Sequence, residues 1–177
     1  MKALLQALGA ALLLALAAAP AAAAPFSIPE AGMSFEAPDG FTPLGQAEID
    51  AKYPSKRGPA FVVGNERRTT TIAFDLKADR LPADKLPEVQ ATLEKVFERI
   101  VPGLEWKARK LIELQGQPWI YLEMSSRAVD TDIHNLMLIT SRQGRMLVLN
   151  FNSTRAEFPA VEAALRRSIE SLRLTAP

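Results

Sequence analysis

PWIYLEMSSRAVDTDIHNLMLITSRQGRMLVLNFNS, residues 118–153, decides how this chain folds. Three β-rich runs follow one another here with only short polar corners between them, and Gly116 and Gly144 supply backbone freedom at the first and third corners. Side chains alternate between the two faces of a strand, so a turn centred on Gln143 and Gly144 pairs Met137 with Asn150 and Asn135 with Asn152. The preceding hairpin then brings Met124 and Ser126 beside them on the same face and sets Ser125 across from His134. The stretch predicts a contiguous antiparallel meander. Leu136 to Ile139 and Met146 to Leu149 are apolar at consecutive positions, so both faces of its central strands should be covered.

Working outward, the residues before the meander alternate as a strand. Trp106, Ala108, Ile112 and Leu114 fall on one face, with Lys110 as the exception, and Glu105, Lys107, Arg109 and Glu113 on the other. Upstream, Leu86, Val89, Leu93, Val96 and Ile100 recur at threes and fours between Pro87 and the pair Pro102–Gly103, which marks an amphipathic helix. AFVVGN and TTTIAFDL, separated by Glu66, Arg67 and Arg68, read as a hairpin with a charged loop. In GQAEIDAKYP, Ile49 and Tyr53 are one helical turn apart and Pro54 stops the helix. Nearer the start, Met33 to Ala37 alternate as a short strand before the turn residues Pro38, Asp39 and Gly40. After the meander, Thr154 and Glu157 have the spacing of a capping box, and Phe158, Val161, Leu165, Ile169 and Leu172 mark a closing helix. Runs of strands with helices inserted and appended predict an α+β fold, a mostly antiparallel sheet flanked by helices.

The amino terminus, MKALLQALGAALLLALAAAPAAAA, holds one cation, a leucine-rich run and then small residues, the pattern of a secretory signal. Leu4 to Leu16 falls short of the roughly 20 apolar residues of a membrane span. The expected organisation is a leader over 1–24 and one α+β domain over 25–177, without a transmembrane segment in the mature chain and located outside the cytoplasm, in the periplasm. The chain has no cysteine, so neither a disulfide nor a lipid-modified amino terminus is available. Without Lys2 the basic residues number 20, matching the 20 acidic ones. Such a neutral domain gives no electrostatic case for nucleic acid.

FEAPDGF, the helix ending in KYP, the GQPWIYLEM strand after a long helix, the RMLVLNFN strand and the closing RRSIESLRL helix together resemble the superfamily of PsbP of photosystem II, Mog and the bacterial DcrB-like proteins. The resemblance runs in order of elements over nearly all of the mature chain. It implies an α/β/α sandwich used for binding and assembly rather than catalysis, and it carries no functional residue onto this sequence.

For chemistry, the only histidine is His134. A serine nucleophile would need it as base, with Asp130 or Asp132 to orient it, but no G-x-S-x-G elbow or glycine-rich oxyanion loop occurs, so the expectation is a protein without catalysis. Asp130, Asp132 and His134 sit two apart and share one side of an extended strand, which is the pattern that would hold zinc or manganese if a metal site exists. The alternative for the same residues is a turn and a partly exposed strand end. No dinucleotide or phosphate loop is present, and no cofactor is expected. Arg142 and Arg145, at a predicted turn, are solvated surface or a docking patch for an acidic protein partner. Ser126, Asn135, Asn150 and Asn152 gather at one end of an otherwise apolar sheet face. Buried amides need partners, so this group either ties down the start of the last helix or lines a pocket for a small ligand.

Overall fold

The computed structural model describes residues 25–53, 58–128 and 131–175. The expected leader and Asp130 lie outside them.

The meander forms as read. β6 (Glu105–Leu114), β7 (Gln117–Arg127), β8 (Asp132–Arg142) and β9 (Arg145–Thr154) run antiparallel in succession, with Met137 opposite Asn150, Asn135 opposite Asn152 and Ser125 opposite His134. β9 then pairs with β5 (Thr70–Arg80), β5 with β4 (Phe61–Gly64), and β4 with the two-residue β3 (Thr42–Pro43). The result is one seven-stranded antiparallel sheet in the order β3-β4-β5-β9-β8-β7-β6. A second sheet joins β1 (Phe26–Ile28), β2 (Met33–Phe35) and β10 (Arg173–Leu174).

Each face of the large sheet carries its own apolar layer. On one side Phe74, Trp119, Leu136, Leu138, Leu149 and Phe151 meet the small sheet and Phe158 and Leu165 of α3 (Phe158–Glu170). On the other, α2 (Leu86–Ile100) covers Ile120, Leu122, Met124 and Ile139, while α1 (Gln46–Lys52) packs Ile49 on Val62 and Ala73. The architecture is the expected α+β sandwich. No helix of the described residues is long and apolar enough to cross a membrane.

Three local expectations are corrected. The register of β6 against β7 shifts between Trp106 and Ala108, so Trp106 does not share a face with Ala108 and Ile112. The bulge turns the indole toward α2, where it stacks on Phe97 at 6.3 Å between ring centroids, while Ala108 and Ile112 face the small-sheet side. In α2 Leu86 is buried, Val89, Leu93 and Phe97 are partly buried against the sheet, and Ile100 is 65% exposed. Finally, Thr154 and Glu157 form no capping box: Thr154 ends β9, Pro159 occupies the first turn of α3, and Glu157 accepts from Thr69 and pairs with Arg67.

Gly32 closes the β1–β2 corner with φ +53°, and a Cβ there would stand 2.6 Å from both Arg142 Nη2 and Thr175 Oγ1. Gly32→Ala is expected to destabilise the protein by about 2 kcal/mol, from the left-handed backbone and the crowding together. Chemical unfolding checks this, and a loss below about 0.5 kcal/mol would show that the corner can move aside.

Candidate functional site

Strand alternation divides the polar groups of the meander between the two faces. Tyr121, Glu123, Ser125 and His134 point toward α3, whereas Ser126, Asn135, Asn150 and Asn152 point toward α1 and α2.

On the α3 side, Glu123 and His134 are each 9% exposed, and His134 Nε2 is 2.9 Å from Glu123 Oε1. Tyr121 donates its hydroxyl to Glu123 Oε2 at 2.5 Å. Arg166 reaches in from α3, donating to the Tyr121 hydroxyl at 3.0 Å and to both Glu123 oxygens at 3.2 and 3.3 Å. Phe158 lies flat on the imidazole, 3.5 Å between centroids. Burial on its own would raise the Glu123 carboxyl, but the hydrogen bonds from Tyr121 and His134 and the Arg166 charge outweigh it and hold the group below the ordinary carboxylate value. Burial, reinforced by the neighbouring carboxylate, pushes the Tyr121 phenol up to about 12. Every acceptor of Glu123 is engaged, so this arrangement clamps α3 to the sheet.

This geometry answers the question about the lone histidine. His134 is committed to Glu123, while Ser125 Oγ donates to Glu105 Oε2 at 3.3 Å rather than to the imidazole. Asp132 stands at the strand end, 3.7 Å from Arg155. Among the described residues, no three of His, Cys, Asp or Glu converge as metal ligands. Arg142 is not at the surface as expected: it is 8% exposed and bonded to backbone carbonyls. Arg145 does remain exposed, yet it donates to Leu76 O and Lys77 O across the register shift between β5 and β9.

On the opposite face three of the four amide and hydroxyl residues come together, Ser126, Asn135 and Asn152. Asn152 Nδ2 donates to Asn135 Oδ1 at 2.8 Å, and Asn135 Nδ2 reaches Ser126 Oγ at 3.4 Å. Thr71 is opposite Asn152 on β5, and its hydroxyl is 3.4 Å from that of Tyr53 beyond α1. A polar row thus crosses four strands. These amides do not tie down the last helix, because α3 packs on the other side of the sheet.

Asn150 stands apart from the row. Its strand neighbours on this face are Met137 on β8 and Ala73 on β5. The three line a groove of about 150 Å³ on this face, together with Tyr53, Asp75, Lys77 and Val148. The Asn150 carbonyl oxygen is buried and accepts no hydrogen bond from the described residues. An apolar groove with one unsatisfied acceptor in its floor can take an apolar group bearing an N–H or O–H.

The sequence matches the model of the DcrB family over residues 61–171. No curated protein matches it by sequence. Among solved structures, cyanobacterial PsbP (CyanoP) from Synechocystis superimposes with a TM-score of 0.62 at 15% identity, covering 86% of this chain and 92% of its own. LpqN, described as involved in cell envelope biogenesis of Mycobacterium tuberculosis, gives 0.56 at 18% identity over 81% of this chain and 83% of its own. A Pseudomonas aeruginosa protein of unknown function gives 0.53 at 17% identity, covering 87% of this chain and 97% of its own. At such identities the likeness concerns the fold.

Proposed function

The chain belongs to the DcrB family, and on that footing we propose that it is an exported binding or assembly-accessory protein that acts without catalysis. Residues 1–24 carry the export signal, and residues 25–177 form the binding domain. Binding takes place on the α1–α2 face, in the groove at Asn150, and the row of Ser126, Asn135 and Asn152 lies further along the same face, outside the groove's lining. The observation that carries this reading is the buried, unpaired carbonyl oxygen of Asn150. An amide left so costs about 1 to 3 kcal/mol, a cost that a bound N–H or O–H would remove. Its surroundings, Tyr53, Ala73, Met137 and Val148, suit an apolar body. The reading therefore calls for a ligand, or a side chain of a protein partner, that is apolar apart from one donor.

Indole has that composition and serves as a probe. In a titration of isotopically labelled protein followed by NMR, the largest shift changes are expected at Tyr53, Ala73, Met137, Val148 and Asn150. Changes scattered over the surface, or an unaltered response in Asn150→Leu, would remove the groove from the account.

A further inference from the structure

Arg142 ends β8 on the face opposite the groove, and its charge is buried among backbone carbonyls. Nε donates to Ala31 O at 2.8 Å, and Nη2 to Gly32 O at 3.2 Å and to Thr175 O at 2.5 Å. Among the described residues, no carboxylate pairs with it. A guanidinium remains protonated at any ordinary pH, and backbone dipoles offset only part of what burying its charge costs. The close approach of Gly32 leaves it little room to withdraw.

The guanidinium borders a cavity of about 300 Å³ at the rim of the sheet. Gln115 and Gln117 line it from the β6–β7 corner, Ser141 and Gln143 from the β8–β9 corner, and Thr175 from beyond β10. The three glutamine amides can donate hydrogen bonds, the Thr175 hydroxyl already donates to Gly32 O at 3.0 Å, and no Asp or Glu is among the lining residues. These amides come from two separate corners beside one fixed positive charge.

We propose that this cavity is a binding site for a small tetrahedral oxyanion of the phosphate or sulfate class. Arg142 supplies the charge, and the amides of Gln115, Gln117 and Gln143 supply hydrogen bonds. Amides from two corners together with the guanidinium suit an anion that presents oxygens in several directions better than a planar carboxylate. The site is separate from the Asn150 groove, so either can fail without the other.

The test is thermal unfolding of the protein, purified after export, in increasing inorganic phosphate, with potassium chloride at matched ionic strength and sodium acetate as controls. Phosphate should raise the melting temperature along a saturating curve that neither control reproduces. Arg142→Gln removes the bonds that hold Gly32 and Thr175 and risks unfolding, so the deciding variant is Gln143→Glu, exposed at the turn. It should weaken phosphate binding about tenfold or more without lowering the phosphate-free melting temperature. An equal rise in chloride, a stronger one in acetate, or phosphate affinity undiminished in Gln143→Glu would overturn the assignment.

Discussion

Glu123→Ala is expected to destabilise the protein by about 3 kcal/mol, since removing one member of a buried ionic network strands the others. Tyr121, His134 and Arg166 all direct polar atoms at this carboxylate. Arg166 is half-exposed and can return to water, which places the loss at the low end of the range for buried pairs. In a domain of this size the melting temperature should fall by roughly 10 °C. The effect also depends on pH. Because the folded carboxyl titrates below its ordinary value of 4.5, the unfolded chain takes up the proton first on acidification. The stabilisation is thus complete above about pH 4.5 and disappears as the pH falls through the lower folded value. The advantage of the natural chain over Glu123→Gln should shrink across that interval in denaturant titrations. A constant advantage down to pH 3, or a cost of less than about 1 kcal/mol for the alanine, would show that the network does not clamp α3.

The second large effect concerns the centre of the sheet. Phe151 on β9 is fully buried, between Ile72 on β5 and Leu136 on β8, and packs in the layer that meets α3. Phe151→Ala should cost about 4 kcal/mol through lost burial and the cavity left behind. Met146 lies near the other end of the same strand and is only half-buried, so Met146→Ala should cost about 1 kcal/mol. Equal costs for the two, measured by urea unfolding, would mean that β9 is not the inner strand that joins β5 to the meander.

The meander was legible because a two-residue repeat and two short corners leave few registers: once Gln143–Gly144 is the turn, the partners of Asn150 and Asn152 follow. The collection of Ser126, Asn135 and Asn152 on one face followed from the same arithmetic. What alternation cannot convey is an interruption of itself. The bulge before Ala108 sends Trp106 to the other face, and no residue type in that stretch announces it. Partners that arrive from distant elements were equally hidden. Arg166 is 43 residues from Glu123, and Arg142 is 111 residues from the carbonyl it meets at Ala31, so one guanidinium proved to be a clamp and the other a buried charge. By alternation alone Tyr121, Glu123 and Ser125 share the face of His134, which already places an acid beside the imidazole.

On the proposed function, Asn150 is retained for what it binds rather than for what it holds together. Replacing it by leucine removes an unpaired acceptor and adds apolar surface beside Met137 and Val148. Unfolding in denaturant should then show the variant to be more stable than the natural chain by about 1 kcal/mol, as happens when a binding residue is exchanged for a packing one. A loss of about 1 kcal/mol or more would mean that the amide is part of the fold's own hydrogen bonding, and the groove would lose its claim to function.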